Sequence, residues 1–350
     1  MEIRRYALWR WPGRRYFLKP LSMIPVRSWQ WLTLPCNPIA WGMWSDAGRL
    51  EFACDIVHAA AFPYAFPIAC GLRLARRLRV PFVLTPFLHL GDVDNPNDPV
   101  RRQYTTRAFL SLTRAADCVL IQSHGERQIL EKNGIPPEKL VLQGLGVEAD
   151  ECTGGNREQI RREWGIQTGE IVVGHLANNS REKGTIDLLD AASRIWKQGC
   201  CFRLVLAGPE MPNFQKFWSR FSSRERVLRL GVLQDRQKRD FFAGIDMFAL
   251  PSRSDSFGLV LLEAWANGLP NIAYRAGGIA EVIHDNQDGL LIACGDVNGL
   301  ADGLARLVSN AELRTRLGNT GKNRLPREFR WEDKLKKVQD VYDSLAGRRR

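Results

Sequence analysis

Two carboxylates eight positions apart, Asp255 and Glu263, are the residues whose types and spacing most directly suggest chemistry. They lie in the stretch PSRSDSFGLVLLEAWANG at 251–268, which follows a short apolar run and contains a predicted helix at 257–266. The first backbone amides of a helix have no partner within it and carry the positive end of its dipole, so a phosphate group can bind there. Gly258 would let such an anion approach the backbone closely. Four residues before the helix are able to cap it, namely Ser252, Ser254, Asp255 and Ser256.

The spacing of the two acids suits a ligand that has hydroxyl groups on both sides of a diphosphate. One carboxylate just before the helix and one about two turns inside it could each hold a hydroxyl while the helix amides hold the phosphates. A nucleotide sugar has this layout of sugar, two phosphates and ribose. The alternative is that Asp255 only caps the helix and that Glu263 lies on its solvated face, because caps are common.

The residues around the two acids carry a family resemblance. The run SFGLVLLEA, which directly follows Asp255 and contains Glu263, resembles the E-x7-E motif of the retaining glycosyltransferases of family 4, which have the GT-B architecture. The resemblance implies that Asp255 contacts the donor sugar and that Glu263 binds the ribose. It also implies that the sugar and the phosphate are held by the backbone amides of Phe257, Gly258 and Leu259. This chain has aspartate where the family has glutamate, so the reach of its first acid is shorter by one methylene.

A second loop supplies positive charge. The run GHLANNSREKG at 174–184 follows a predicted strand, precedes a predicted helix and resembles the family's loop in which a lysine before glycine binds the donor diphosphate. The resemblance implies that Lys183 neutralises the departing nucleoside diphosphate and that Arg181 assists it. Many family members have an arginine directly after the strand, where this chain has His175. The alternative is a solvated basic turn without a ligand.

One histidine lies where a ligand site is expected in the first half of the chain. His89 ends the run TPFLH at 85–89, after a predicted strand, and ligands bind beyond the carboxyl ends of strands in open α/β sheets. The resemblance implies that His89 faces the donor sugar, although a lone histidine is more often structural. The other four histidines lie outside such a motif, and their spacing does not suggest a zinc site.

No metal and no other cofactor is expected. An Asp-x-Asp motif is absent from the sequence of the second half, and the one in the first half, at Asp92 and Asp94, is discounted because the donor-binding motifs lie elsewhere. The resemblance implies that the nucleotide sugar is the donor substrate. It also implies that the acceptor attacks from the face that the diphosphate leaves, without a dedicated protein base and usually without a metal.

Two series of alternating strands and helices must position these residues. One runs through 51–150 and the other through 165–325, which predicts two α/β domains with parallel sheets. Two doubly wound, Rossmann-like domains in tandem are the GT-B plan, in which the ligand binds in the cleft between them. A linker is predicted at 150–155. The segment 326–350 is predicted to contain an amphipathic helix at 331–346 and a basic tail, and in GT-B proteins such a helix crosses back to the first domain.

Apolar runs and capping signals set the expected bounds of the elements. In the first domain, strands are predicted at 55–58, 80–84, 118–122 and from 141, and helices at 66–78, 104–116 and 125–132. A helix is predicted after the linker at 157–164. In the second domain, strands are predicted from 171 and at 203–207, 227–230, 246–250, 271–274 and 290–292, with helices that include 186–197, 238–244 and 257–266.

Residues 1–50 differ in composition from the rest of the chain. Six of the eleven tryptophans and seven arginines and lysines lie before residue 46, where Glu2 is the only acid. Rings and cations together suit an anionic membrane surface, and irregular parts of a domain are an equal alternative. The strand, glycine-rich loop and helix with which the family usually opens are not found here, and the resemblance begins near Cys54. We therefore expect a shortened first domain, with one sheet edge exposed or covered by a partner.

Composition narrows the range of partners. The 350 residues carry a net charge of +12 with a pI near 9.6, which favours an anionic partner such as a nucleotide, a lipid headgroup or nucleic acid. No helix-turn-helix, zinc-finger or RNA-binding signature accompanies the charge, so specific nucleic-acid binding is the weaker interpretation. Eight scattered cysteines, no secretory signal and no membrane-spanning run predict a cytoplasmic protein, either free or peripheral on the cytoplasmic face of the membrane.

These observations lead to one expected function and two rivals. The expected function is that of a retaining glycosyltransferase, which moves a sugar from a nucleotide-diphosphate-sugar donor to a hydroxyl of a glycan, a glycolipid or a small molecule. One rival is a non-catalytic subunit of the same fold that binds a nucleotide sugar or a partner. The other is a different enzyme of this architecture, a nucleotide-sugar epimerase or a phosphorylase.

Overall fold

Every paired strand in the described part of the chain is parallel to its neighbours, as the alternation of strands and helices predicts. The computed structural model describes residues 2–49 and 53–347. A first unit contains the described residues up to 89, residues 97–144 and the chain from 335 onward, and a second unit contains 90–96 and 145–334. The predicted boundary at 50 and 51 and the predicted basic tail at 348–350 lie outside the described residues.

The first unit is built on a four-stranded sheet. Its strands are hydrogen-bonded in chain order and are β1 (Val57–Ala60), β2 (Phe82–Thr85), β3 (Cys118–Ile121) and β4 (Leu140–Leu142). The two central strands read FVLT and CVLI and are buried along their whole length, as strands covered on both faces are. Its helices in chain order are α1 (Arg14–Leu21), α2 (Arg27–Thr33), α3 (Trp41–Ala47), α4 (Ala65–Leu78), α5 (Pro99–Tyr104), α6 (Arg107–Ala115) and α7 (His124–Lys132), and a 3-10 turn lies at Pro137–Lys139.

The second unit is built on a six-stranded sheet with the order β10-β9-β8-β5-β6-β7. The strands are β5 (Val172–Leu176), β6 (Arg203–Ala207), β7 (Val227–Gly231), β8 (Met247–Leu250), β9 (Asn271–Tyr274) and β10 (Gly289–Ile292). The helices are α8 (Ala149–Cys152), α9 (Arg157–Glu163), α10 (Thr185–Lys197), α11 (Pro212–Trp218), α12 (Asp235–Gly244), α13 (Leu259–Ala266), α14 (Ile279–Val282), α15 (Val297–Ser309) and α16 (Ala311–Glu328), with a 3-10 turn at Arg224–Arg226.

Two apolar cores lie on the two faces of the six-stranded sheet. Alternate residues of its strands contribute to different cores: Val173 and Met247 to one, and Val172 and Phe248 to the other. Successive residues of a strand point to opposite faces, so helices cover this sheet on both sides. The second unit is therefore doubly wound, as predicted.

The last helix, α17 (Trp331–Gly347), packs on the sheet of the first unit from residue 335 onward. Its apolar face contacts Val83 and Leu120 through Val338, Val341, Tyr342 and Leu345. The Tyr342 hydroxyl also hydrogen-bonds His58 Nδ1 at 2.6 Å. The amphipathic pattern at 331–346 therefore predicts both the helix and the face that it buries.

Three helix starts differ from the sequence prediction by two residues or more. The helix expected at 238–244 begins at Asp235, because the Gln234 amide donates to Gln237 Oε1 at 2.9 Å and caps an earlier turn. The helix expected at 104–116 is two helices, because the Thr106 side chain caps a new one by accepting from the Phe109 amide at 3.5 Å. The helix expected at 257–266 begins at Leu259, for reasons that involve the functional site. A short helix, α8, also occupies 149–152, where a linker is predicted.

Candidate active site

Lys183 and Asp255 meet where the strand order of the second sheet reverses. The strands β5 and β8 are neighbours, so the loops that follow them lie side by side at the carboxyl edge of the sheet. Such a switch point is where open α/β sheets bind ligands. Lys183 Nζ lies 2.7 Å from Asp255 Oδ2, and both side chains remain partly exposed. Two residues 72 positions apart thus form one charged pair at this edge.

Backbone packing also holds the two loops together. Gly184 has a φ of +73°, and a Cβ at this position would come within 1.7 Å of the Pro251 carbonyl oxygen. Only glycine allows this approach without moving the backbone. The Arg253 amide donates to the Glu182 carbonyl at 2.9 Å. The Lys-Gly pair of the sequence therefore has a geometric basis, because the glycine brings its loop against the loop that carries Asp255.

The carboxylate of Asp255 also shapes the start of α13. Its Oδ1 accepts from the amides of Gly258 at 2.9 Å and Phe257 at 3.3 Å, and Gly258 adopts φ +84° as the N-cap residue. The helix therefore begins at Leu259, two residues later than predicted. Two of the amides expected to hold the ligand bond to Asp255 instead, whereas the first amides within α13, beginning with Leu259, have no partner inside the helix. Asp255 both caps the chain and pairs with Lys183.

A third loop, which contains two adjacent glycines, packs directly against Asp255. The Gly278 amide donates to the Asp255 carbonyl at 3.1 Å, and a Cβ on Gly277 would lie 2.0 Å from the same oxygen. A Cβ on Gly278 would lie 2.0 Å from the Ser256 carbonyl oxygen. Gly277 and Gly278, in the run AGGIAEVI at 276–283, are thus required for this close approach. The two adjacent glycines are the signal for it in the sequence.

Glu263 is buried in α13, so the alternative of a solvated helix face is wrong. Its Oε1 lies 2.5 Å from Lys238 Nζ on α12, and its Oε2 has no hydrogen-bond partner among the described residues. Burial raises the pKa of this carboxyl, and Lys238 opposes that rise. A cavity of about 290 Å³ opens beside the pair and is lined by Glu151, Cys152, Asp235, Lys238, Arg239, Phe242 and Glu263. Sequence reasoning did not single out Lys238.

Two family models match this chain, one over each half. A family model described as Glycosyl transferases group 1 matches residues 156–324. A second, described as Glycosyl transferase 4-like domain, matches residues 2–146. Together the two models match most of the chain, and the chain is a glycosyltransferase. The second match begins well before Cys54, where the motifs alone place the start of the resemblance.

Curated relatives of this glycosyltransferase differ in the reactions that their names describe. N-acetyl-alpha-D-glucosaminyl L-malate synthase of Bacillus anthracis is 34% identical over 185 residues, which are 53% of this chain and about half (48%) of that protein. D-inositol 3-phosphate glycosyltransferase of Corynebacterium glutamicum is 26% identical over 326 residues, which cover 87% of this chain and 76% of the relative. The chain is therefore an enzyme of the glycosyltransferase class.

Solved structures show that the glycosyltransferase has the GT-B fold, as the sequence predicts. HepE of Anabaena, solved in complex with UDP and glucose, matches with a TM-score of 0.71 at 21% identity over 83% of this chain and 78% of that one. Sucrose-phosphate synthase of Thermosynechococcus elongatus matches with a TM-score of 0.70 at 21% identity over 83% of this chain and 73% of that one.

His175 of this glycosyltransferase is buried beneath the two loops. Its Nδ1 hydrogen-bonds the Ala249 carbonyl at 2.8 Å and its Nε2 the Thr185 hydroxyl at 2.9 Å. Burial, assisted by the nearby Lys183 ammonium, lowers the pKa of the ring to about 4, despite the bond to the carbonyl. The ring is therefore neutral at pH 7 and ties β5 to β8 and α10. It cannot supply the cation that an arginine at this position would bring.

A cluster of the partly exposed Arg253 with the buried Asp187 and Tyr274 links the same loops. Arg253, two residues before Asp255, donates from its guanidinium to Asp187 Oδ2 at 2.6 Å. The Tyr274 hydroxyl donates to the same oxygen at 3.1 Å. Burial raises the pKa of this phenol, so it keeps the proton that it donates. Asp187 lies in the first turn of α10, directly after the Lys183 loop. The three residues, which the sequence did not indicate, connect α10, β9 and the loop after β8.

The remaining predicted site residues lie in different places. Arg181 is exposed in the Lys183 loop, and its amide donates to Asn213 Oδ1 at 3.3 Å. His89 is the last residue of its segment of the first unit, and its ring stacks on Tyr104 with centroids 5.0 Å apart. The roles given to these two residues stay predictions.

Residues 2–49 and 53–347 include no cluster of three or more His, Cys, Asp or Glu side chains that could hold a metal ion. The same residues contain no helix that is long and apolar enough to cross a membrane.

Proposed function

We propose that this chain is a retaining glycosyltransferase that transfers a sugar from a nucleotide-diphosphate-sugar donor to an acceptor hydroxyl. The observation that carries the proposal is the Lys183–Asp255 pair beside the first turn of α13, at the switch point of the second sheet. A cation and free helix amides at one point form a diphosphate site. HepE, which has this fold, was solved with UDP and glucose, and this complex supports a donor of the same class.

Lys183 would stabilise the leaving group. As the glycosidic bond breaks, negative charge grows on the diphosphate oxygens, and a fixed ammonium nearby lowers the energy of that state. The amides at the start of α13 would share the charge. Asp255 would hold the ammonium in place before the donor binds and would then align the donor sugar. In this proposal Lys183 and the amides supply the positive field, and the reaction needs no resident metal or other cofactor.

Glu263 would bind the ribose of the donor. Its buried Oε2 has no protein partner among the described residues, and a hydroxyl that entered the adjoining cavity would supply one. Lys238 pairs with Oε1 and favours the charged form of the carboxyl, against the effect of burial. A carboxylate oxygen without a protein partner is a good hydrogen-bond acceptor, which suits a ribose diol. Arg181 would assist at the diphosphate, and His89 would face the donor sugar, as the family resemblance implies.

We place the acceptor among glycans, glycolipids and small molecules, and the protein in the cytoplasm. The names of the relatives include an L-malate synthase and a lipopolysaccharide core enzyme, so the family itself spans small and lipid-linked acceptors. All eight cysteines lie in the described residues as free thiols, which supports a reducing compartment. Specific nucleic-acid binding forms no part of this proposal.

One observation favours a second candidate, a non-catalytic subunit that binds a nucleotide sugar. Both oxygens of Asp255 already have protein partners, and its side chain is shorter than the glutamate of the family motif. A carboxylate used in this way could maintain the loop without touching a sugar. An epimerase is the other candidate of this architecture, and it would interconvert donor sugars without an acceptor.

A donor screen followed by product analysis tests the proposal. The protein is heated with UDP-, GDP-, ADP- and dTDP-sugars, and the true donor at about 100 times its Kd should stabilise the fold by roughly 2.7 kcal/mol. The same donor with an acceptor panel should give a product whose anomeric configuration, measured by NMR, equals that of the donor. Stabilisation without turnover on any acceptor would favour the non-catalytic subunit, and an inverted product would refute the retaining mechanism.

A further inference from the structure

The N-terminal helices contribute part of their tryptophans to the core of the first unit. Trp31 Nε1 donates to Ser111 Oγ at 2.9 Å and to the Ala108 carbonyl at 3.2 Å. Trp44 lies under the guanidinium of Arg73, whose central carbon is 4.3 Å from the ring centroid, and it packs against the buried Phe66. These rings anchor the helices on α4 and α6. They account for some, but not all, of the aromatic residues in this segment.

The other rings form a continuous aromatic surface. Trp11 stacks on Trp9 with centroids 5.9 Å apart and meets Phe17 edge-on at 5.5 Å, while Trp41 lies 6.1 Å from Trp9. Phe17, Trp11 and Trp41 are each about half exposed, at 50%, 48% and 53%. Tyr16, beside Phe17 on α1, is 84% exposed. A run of large exposed rings adds little to the stability of a free monomer, and such a surface usually contacts a partner.

Cations surround these rings. A groove of about 620 Å³ is lined by Trp9, Trp11 and Tyr16 together with Arg10, Arg14 and Arg15. Lys19 is exposed on the same helix as Tyr16. The one acid before residue 46, Glu2, pairs with Arg4 at 2.6 Å. The surface is therefore cationic as well as aromatic, and we call Trp11, Tyr16, Phe17 and Trp41 with Arg10, Arg15 and Lys19 the aromatic–basic face.

We propose that the aromatic–basic face docks reversibly on an anionic phospholipid bilayer. Tryptophan and tyrosine rings favour the depth of the headgroups, and arginine and lysine are attracted to anionic lipid. In the described residues no helix could span a bilayer, so contact by this face would be peripheral. The docking does not depend on transfer activity. Only its consequence, that the acceptor is bound to lipid or presented at the membrane, rests on the proposed function.

Two other partners fit the face less well. A second copy of this chain, paired through the same face by a twofold axis, would bring the arginines of one copy against those of the other, which is unfavourable. A nucleic acid would stack on rings and pair with cations, but it gains nothing from aliphatic groups. The turn between α1 and α2 exposes three of these, Met23, Ile24 and Val26, and a bilayer can bury them.

Vesicle co-sedimentation of the full chain tests the proposal. Vesicles of phosphatidylcholine alone are compared with vesicles that contain 30% phosphatidylglycerol, at about 0.05 M and 0.5 M salt. We expect binding only to the anionic vesicles and a steep loss at high salt. The variant Arg10→Glu/Arg15→Glu/Lys19→Glu should weaken binding by on the order of 100-fold or more, since each lost cation near an anionic surface contributes roughly fivefold and the added carboxylates are repelled. Tyr16→Ser/Phe17→Ser should weaken it at both salt concentrations.

A charge-matched control separates the face from net charge. Lys197→Glu/Lys216→Glu/Arg220→Glu makes the same charge change on exposed residues of the second unit and should bind nearly as the parent does. Equal loss in both triple variants, equal binding to neutral vesicles, or no binding at low salt would each overturn the proposal. So would a dimer in sedimentation velocity that Tyr16→Ser/Phe17→Ser dissociates. The experiment measures binding and not transfer. A protein that does not bind vesicles therefore leaves the transferase proposal intact, and a protein without transfer activity can still be tested for vesicle binding.

Discussion

The guanidinium of Arg253 donates a 2.6 Å hydrogen bond to Asp187 Oδ2, and this contact joins the two loops whose ends carry Lys183 and Asp255. Arg253 lies two residues before Asp255, and Asp187 lies four residues after Lys183. The pair therefore fixes one loop relative to the other without touching the Lys183 ammonium. Asp187 is buried and also accepts from Tyr274, so its position is determined from two sides. We infer that Arg253 and Asp187 are positioning residues for the proposed diphosphate site.

Replacing Arg253 with methionine should lower kcat more than it raises the donor KM. The loops would separate slightly, and misplacement of a catalytic group by about 1 Å is worth up to about 100-fold in rate, so we expect a loss on the order of 10-fold. Stability should also fall, by about 1 to 3 kcal/mol, because the buried Asp187 loses its cationic partner and keeps, of these two partners, only the Tyr274 hydroxyl. Steady-state kinetics with varied donor and urea unfolding measure the two effects.

Arg324→Met is the matched control for that variant. Arg324 pairs with the buried Asp288 in the same unit, and its other hydrogen bonds go to Val282 and Glu328 rather than to either loop, so its loss should cost stability and leave kcat unchanged. Equal reductions of kcat in the two variants would mean that general destabilisation, and not loop position, explains the result. Arg253→Lys should recover part of the activity, because an ammonium can still reach Asp187.

Lys183→Ala should weaken transfer strongly, because a diphosphate without its neutralising cation is a poor leaving group. Loss of one such electrostatic contact is worth roughly 3 kcal/mol, on the order of 100-fold in kcat/KM. The control Lys216→Ala removes an exposed lysine of α11 and should have no such effect. An unchanged kcat/KM in folded Lys183→Ala protein would remove this lysine from the site.

Asp255 and Glu263 should separate by kinetic role. Asp255→Asn keeps an oxygen that can accept from the Gly258 amide but loses the charge that pairs with Lys183, so kcat should fall. Glu263→Gln leaves Lys238 without its buried partner and weakens the proposed ribose contact, so the donor KM should rise. Small and equal effects of the two substitutions would indicate that Asp255 serves only as a cap.

The sequence predicted those parts of the fold that depend on local pattern. The strands at 203–207 and 271–274 have the predicted bounds, because an apolar run between turn residues marks both ends of a buried strand. The predicted start of α13 was wrong by two residues. The start depends on the Asp255 carboxylate, which accepts from the Gly258 amide, and the neighbouring serines were equally good candidates for the cap. Family resemblance, and not the spacing alone, brought Lys183 and Asp255 into one expected site.

Contacts between distant residues could not be predicted in the same way. Lys238 meets Glu263, and Arg253 meets Asp187, only because the strand order places their elements together. A single sequence carries no signal for such an order. The spacing leaves two alternatives for Glu263, and its burial excludes the solvated helix face, while the ribose contact stays a prediction. His175 was noted as a departure from the family pattern, but its two bonds to β8 and α10 were invisible until the fold was known.

The neutral ring of His175 predicts how stability depends on pH. Its pKa in the folded protein is about 4, and in the unfolded chain it returns to the ordinary value of about 6.5. Between these values the unfolded chain binds a proton that the folded protein does not, so stability falls as the pH decreases from about 6.5 to 4. The shift corresponds to roughly 3 kcal/mol when the pH is below both pKa values.

We therefore expect the parent protein to lose about 2 to 3 kcal/mol more than His175→Gln between pH 7.5 and pH 4.5. Glutamine has an amide donor and a carbonyl acceptor for the partners of the ring but does not titrate, so the contributions of all other groups cancel in the difference. Urea unfolding of both proteins at four pH values measures it. Parallel curves would show that the ring gains its proton at the same pH in both states, which would contradict its burial between β5, β8 and α10.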